Sequence, residues 1–395
     1  MAPTRLTTWL LNIGHALDHM FLLIFAAGVS RIAADFGFAR WEDLMPYGAG
    51  AFLMFGLGSV PAGRLGDLWG RRAMMLVFYF GMALSCLLAA LTQNAWQLAG
   101  ALILLGTFSA IYHPVGIPML VAGARRPGAT LGISGLAGNL GIALAALVSG
   151  YLIEIGGWRL AFAVPGGVAL LLGAWFAWAV PAETEAPARR KPTMPEVPRS
   201  ILMRVFFVIT ATAITGSLLF NFTTNGNGEL LRERFAGIVE DPSQLGILLA
   251  LVYTVGACSQ VIVGRMIDRF PIRRLYLGVL LLQAPAFLLA AQASGWWFLL
   301  MATAYMVSVF AAIPFTDALI VRFVDDRMRS RVSGMRLAVS FGVSSLAVWM
   351  LGPVVKAAGF NSLLLSMAAI AALTWLFAFQ LPRADLSGAG NLAQV

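Results

Sequence analysis

Charged side chains are scarce in this chain. Asp, Glu, Lys and Arg make up 11% of its 395 residues, against about a quarter in an ordinary soluble domain. So few charges cannot cover a water-facing surface, which excludes a conventional soluble globular protein. Cysteine is limited to Cys86 and Cys258, far apart inside apolar stretches, so neither a disulfide framework nor a thiolate metal cluster is expected. Long polar tracts are missing too, which leaves no soluble module for a sensor or scaffold. The net charge of +9 is spread over short connections and offers no continuous basic face to a phosphate backbone, so no nucleic-acid partner is expected. No nucleophile–base pair at one depth stands out, and the chain does not read as an enzyme.

What is present is apolar sequence in long blocks. They fall near 8–30, 47–64, 73–92, 96–120, 129–153, 158–180, 201–222, 243–264, 275–292, 296–320, 331–353 and 361–380. Each is about as long as the roughly 20 residues that span a bilayer as a helix. Barrel strands would be half as long and would alternate. The blocks predict an all-α polytopic membrane protein with twelve transmembrane helices in two six-helix bundles. The first block is too long for a signal-peptide core and reads as a retained helix. The Pro-rich stretch 181–200 reads as a linker between a bundle at 1–180 and a bundle at 201–395.

Positive charge fixes the expected orientation. With the N-terminus in the cytoplasm, twenty Lys and Arg fall on the inward side and six, Arg31, Arg40, Arg159, Arg232, Arg234 and Lys356, on the outward side. The positive-inside rule therefore places both termini in the cytoplasm, and an inner (plasma) membrane location is expected. The outward stretch 223–242 predicts a short surface helix or lid around Leu230–Phe235.

One charged turn occurs twice. The turn after the second block contains Gly63, Arg64, Asp67, Arg71 and Arg72; the turn after the eighth contains Gly264, Arg265, Asp268, Arg273 and Arg274. Duplicated transporter halves produce such a repeat. The glycines allow helices to approach closely. The aspartates can accept hydrogen bonds from N–H groups at a neighbouring helix start, or pair with arginines of the other half. Such bonds would latch one side shut and break when the halves rock. Their bland alternative is a positive-inside turn with a balancing acid.

These two turns resemble the signature of the major facilitator superfamily and its degenerate copy, and Gly156-Gly157-Trp158-Arg159 resembles another frequent feature of that family. Within it, His15-Ala16-Leu17-Asp18-His19-Met20, Tyr112-His113-Pro114 and the glycine-rich run Leu131 to Ala145 resemble the fosmidomycin-resistance branch of drug exporters. The resemblance implies alternating access about a central cavity lined by the first and fourth helices, which would bring His113 near His19. It also implies a monomer that exports a small drug-like or metabolite molecule by proton antiport, without a cofactor. Proton-coupled uptake of a small organic anion, anchored by Arg336, is the alternative.

Ionisable groups inside spans usually face a cavity or a proton path. His15 and His19 share a helix face, with Asp18 about 100° around from His19. Histidine changes charge near cytoplasmic pH. The group can carry a proton or contact substrate. It can also support a kink, with the His113 imidazole on carbonyls freed by Pro114, or ligate a metal, although no acidic or His-rich loop gathers one and no metal is expected. Asp317 and Arg336 can pair across two helices, Arg336 can bind an anion, or it can snorkel. Asn221 is a cavity candidate, with Thr212, Thr215 and Gln260 behind it. Gly132, Gly135, Gly138 and Gly141 give the fifth helix a flat face for close packing and sliding across the half interface.

Overall fold

The structure is a computed structural model that describes residues 3–39, 43–189, 199–239 and 242–382. Most of the predicted linker, residues 190–198, lies outside the described residues, as do Arg40 and residues from 383 onward. Helices dominate, because a backbone in lipid must satisfy its own polar groups.

Helix α1 is Arg5–Asp35, α2 Ala49–Trp69 and α3 Arg71–Ala90. Helix α4 starts at Ala95–Ser109, passes through a π-turn at Tyr112–Gly116 and resumes as Ile117–Val121. Helix α5 is Pro127–Gly156 and α6 is Trp158–Ala179. In the second half, α7 is Arg199–Arg234, which takes up the stretch expected as a separate outward lid, and α8 is Pro242–Ile267. Helix α9 joins Ile272–Leu281 and Gln283–Gln292, and α10 is Gly295–Phe323. The segment Arg329–Phe379 breaks at Gly359, whose φ of 73° L side chains rarely adopt, into α11 (329–358) and α12 (360–379).

Among the described residues, ten of these helices are long and apolar enough to cross a membrane. Helix α2 is diluted by glycine and carries Arg64 and Asp67. Helix α11 has its charges, Arg329, Arg331 and Arg336, in its first turns and carries none over 337–355. The two helices pack on each other across the two halves.

Successive helices run in alternate directions, so the two repeated turns lie on one side, called here the latch side. Exposed tryptophans mark both ends of the bundle: Trp9, Trp69 and Trp178 on the latch side, Trp96, Trp296 and Trp297 on the far side. Indole rings prefer the two membrane–water interfaces. The buried core is divided in a telling way. One apolar cluster fills the first half and continues into latch-side ends of the second, at Val205, Ile272 and Phe323. The far ends of the second half have their own cluster around Leu230, Phe235, Phe287 and Phe298. The halves are thus joined on the latch side.

On the far side of the first half, Asp35 accepts hydrogen bonds from Arg159 Nη1 at 2.7 Å and Trp158 Nε1 at 3.0 Å. These bonds, with Arg159 foremost, hold its carboxyl below the usual carboxylate range. Its stabilising effect is therefore complete at neutral pH and lost as pH falls through that lowered value. The Gly-Gly-Trp-Arg sequence is in this way a clasp between α1 and α6.

Candidate functional site: a latch and a cavity

Two seams close the latch side. In the first, α2 meets α11. A Cβ at Gly63 would stand 2.3 Å from Ser330 O, and one at Gly334 would stand 2.2 Å from Ser59 O. Asp67 Oδ2 accepts from the backbone N–H of Arg331 at 3.0 Å, at the start of α11. Arg71 is buried and crosses to the other half. It donates to Asp326 Oδ1 at 3.0 Å, Asp326 O at 2.8 Å, Ser330 Oγ at 3.2 Å and Pro118 O of its own half at 3.2 Å. Asp67 lies 3.8 Å from Arg71.

The second seam repeats the plan with α8 and α5. Asp268 accepts from the N–H groups of Gly128 and Ala129, both at 2.8 Å, so it caps the start of α5. A Cβ at Gly264 would stand 2.4 Å from Gly128 O. The position matching Arg71 is Ile272, so among the described residues this seam shows no counterpart of that crossing arginine. Arg72 and Arg273 play matching parts within their own halves. Arg72 donates to Val180 O and Ala177 O, and Arg273 to Leu381 O and Phe379 O, tying α3 and α9 to the ends of α6 and α12. Arg274 is exposed.

The glycine run of α5 serves two partners. Gly132 and Gly135 face α8 across the seam, where a Cβ would meet Gln260 at 2.4 Å and 1.6 Å. Gly138 and Gly141 face α1 within the same half, against His15 and Ala16. Only the first two lie at the half interface where sliding was expected for all four.

Beyond these seams lies a cavity of about 250 Å³ between the halves. His15, His19 and His113 form one group in its wall. His19 Nε2 and His113 Nε2 are 3.2 Å apart. His113 Nε2 is 3.7 Å from Asp18 Oδ2, while Ser109 Oγ donates to Asp18 Oδ1. His15 Nδ1 is 3.0 Å from Ser134 Oγ, and its ring stacks on Tyr112 with centroids 4.6 Å apart. Gly138 leaves room for that ring, since a Cβ there would stand 2.6 Å from His15 Nε2. The π-turn carries His113 to this position, where its ring bonds to His19 instead of a freed carbonyl. The three histidines each offer a ring nitrogen within 4.8 Å of the others.

An N···N hydrogen bond needs a proton on one nitrogen and a lone pair on the other. The His19–His113 contact therefore accommodates one proton between the facing nitrogens. A second proton puts two N–H groups face to face and breaks it. Asp18 Oδ2, which has no hydrogen bond among the described residues, is the acceptor beside His113.

Across the cavity, Arg336 Nη2 lies 2.9 Å from Asp317 Oδ1, and its Nη1 donates to Thr316 Oγ1. Asn221 Nδ2 donates to Ser344 Oγ at 2.8 Å and to Ser217 O at 2.9 Å, locking α7 to α11. Sequence reasoning missed Ser109, Ser134, Thr316 and Asp326. Ser109 had a signal, because it precedes His113 by one helical turn and so shares its face. Asp326 had a weaker one, as an acid placed among Arg327, Arg329 and Arg331.

Two helical halves joined on one side and enclosing a largely apolar cavity with a few polar groups define a membrane transporter fold. The sequence profile of the Major Facilitator Superfamily matches residues 9–231 and 235–394, and the chain belongs to that family of transporters. A curated relative, the "Probable actinorhodin transporter" of Streptomyces coelicolor, is 32% identical over 150 residues, which are 36% of this chain. The match spans 25% of that relative's length. Among solved structures, the proton:xylose symporter XylE bound to 6-bromo-6-deoxy-D-glucose superposes with a TM-score of 0.80 at 16% identity, covering 95% of both chains. The human organic anion transporter MFSD10 (TETRAN) gives 0.73 at 17% identity, covering 96% of this chain and all of that one (100%). The transporter FucP in the outward conformation gives 0.73 at 13% identity, covering 95% and 99%. At such identities the likeness concerns the fold.

Proposed function

We propose that this chain is a proton-coupled secondary transporter of a bacterial plasma membrane, working as a monomer by alternating access and exporting a small drug-like or metabolite molecule in exchange for protons. The latch side is the cytoplasmic side in this reading, supported by the twenty-to-six distribution of positive residues. The conformation is then outward-facing. The observation that carries the reading is the His19–His113 contact in the cavity wall with Asp18 beside it. A proton arriving on the accepting nitrogen breaks the imidazole pair and turns His113 toward the free oxygen of Asp18. Proton binding therefore changes the cavity wall that substrate meets. Membership of the Major Facilitator Superfamily and the matched stretch of a relative named as a transporter support transport of a small molecule. The histidine, tyrosine and glycine motifs support the fosmidomycin-resistance-like branch.

Proton-coupled uptake of a small organic anion is the second reading. It is favoured by Arg336, which lines the cavity with its Nε free of hydrogen bonds among the described residues.

Proteoliposomes under an imposed pH gradient test the proposal, with a panel of neutral, anionic and cationic aromatic compounds assayed in both directions. His113→Gln and Asp18→Asn are each expected to lower proton-driven flux by roughly two orders of magnitude, in the range seen when a positioned proton-transfer group is removed. Protein yield should change far less. Parent-like coupled flux in both variants would remove the histidine group from the mechanism.

A further inference from the structure

We infer that the cavity takes an uncharged, ring-sized molecule that carries both hydrogen-bond donors and acceptors, of the amide or phenol kind, in preference to an anion or a cation. The inference rests on the transport reading and adds the chemistry of the cargo.

The first observation concerns charge. Among the described residues lining the cavity, Asp317 and Arg336 are the fixed charges, and they pair at 2.9 Å. An anion drawn to Arg336 meets Asp317 as well, and a cation drawn to Asp317 meets Arg336. Asp18 is wholly buried behind the wall and is held by Ser109 and His113. Enclosure in an apolar wall disfavours a net charge on the histidine group, so it adds little to attract an ion. A charged cargo would give up its hydration in an apolar enclosure without a counter-charge, which is costly.

The second observation concerns hydrogen bonding. Side chains on several helices line the cavity and carry polar atoms without a hydrogen-bond partner among the described residues. Besides His15 Nε2 and His19 Nδ1 on α1, they are Asn139 Nδ2 on α5, Gln260 Nε2 and Oε1 on α8, Gln283 Oε1 on α9 and Arg336 Nε on α11. Gln260 is wholly buried, and Gln283 and Asn139 are each 2% exposed. Buried carboxamides without partners are unfavourable in the protein alone. They become useful when a ligand supplies donors to the two oxygens and acceptors to the nitrogens. The rest of the wall is apolar and aromatic, with Phe55 and Phe341 meeting at 4.1 Å between ring centroids. A cavity of about 250 Å³ suits one or two rings.

The test uses three probes of one shape at pH 6.5: 4-hydroxybenzamide, which is neutral, 4-hydroxybenzoate, an anion, and 4-hydroxybenzylammonium, a cation. Binding to the purified protein in lipid nanodiscs is measured by calorimetry, so the result does not depend on proton coupling. The neutral amide is expected to bind roughly ten-fold more tightly than either ion. Gln260→Leu and Gln283→Leu should each weaken amide binding roughly ten-fold, as loss of a buried hydrogen-bond partner does. The melting temperature of empty Gln260→Leu protein should not fall, because an unpartnered carboxamide is replaced by an apolar group of similar volume. Tighter or equal binding of either ion overturns the inference, and so does absence of amide binding at millimolar concentration. Amide binding unchanged in both leucine variants overturns it too. A parent that binds the amide but shows no proton-driven flux would leave this inference standing and sink the proposed coupling.

Discussion

Arg71→Met is expected to unfasten the latch side. The guanidinium is buried and makes four hydrogen bonds, three of them to Asp326 and Ser330 of the other half. Removing one partner of a buried charged network costs about 3–5 kcal/mol. Asp326 keeps Arg329 as a neighbour, 3.4 Å away, so the lower end of that range applies. The cross-half bonds exist only while the latch is closed, so the loss falls on the closed state. About 1.4 kcal/mol is a factor of ten in a two-state equilibrium, and the closed population should drop by roughly 100-fold relative to the open one. Hydrogen exchange checks this directly. The Arg331 amide, which donates to Asp67, should lose protection along with its neighbours in residues 329–334. Asp268→Ala gives the contrast. Its seam has capping bonds without a crossing arginine among the described residues, and a cap lost to alanine costs about 1 kcal/mol. An Asp268→Ala effect as large as that of Arg71→Met would contradict the asymmetry between the seams.

Gly63→Val is the second large effect. The new Cβ would stand 2.3 Å from Ser330 O and 2.9 Å from Ser330 C. Both are backbone atoms at a helix start, so neither can swing aside as a side chain would. Overpacking costs about 1–3 kcal/mol even where a core can adjust. Here relief requires the two halves to separate, which removes the Asp67 and Arg71 bonds as well. Transport is expected to fall to about a hundredth of the parent's, with latch-side amides losing protection. Gly100→Val is the control, since a Cβ there meets nothing within 4 Å. Its flux should stay within about two-fold of the parent's, as for a surface substitution. Equal losses at both positions would mean that Gly63 matters through helix propensity and not through the seam.

Much of this arrangement was legible before any fold was known. Hydropathy located the helices because lipid leaves the backbone few options, and the repeated turn marked both seams because each needs a glycine and an aspartate one turn apart. Asp317 and Arg336 announced themselves as charges inside apolar sequence. The obscure parts have physical reasons. Helix α2 looks less like a span because glycines, Arg64 and Asp67 interrupt it where it packs on α11. The glycine run has one sequence pattern yet meets α8 with Gly132 and Gly135 and α1 with Gly138 and Gly141. Ser109 and Ser134 are ordinary residues whose importance comes from the acid and imidazole brought to them. The near-neutral charge of the cavity depends on which groups end up paired, and that is a property of the folded chain.

The central claim is that one cavity opens to alternate sides and that the latch closes it on the cytoplasmic side. Gly216 lines the cavity, and a Cβ there meets nothing within 4 Å, so Gly216→Cys places a thiol in open space. In a Cys86→Ala, Cys258→Ala background, a membrane-impermeant thiol reagent is added to either face of oriented vesicles. The account predicts labelling from the outer face in the parent, little from the cytoplasmic face, and a marked gain from the cytoplasmic face when Arg71→Met is added. Ready labelling from the cytoplasmic face in the parent, unchanged by Arg71→Met, would contradict it.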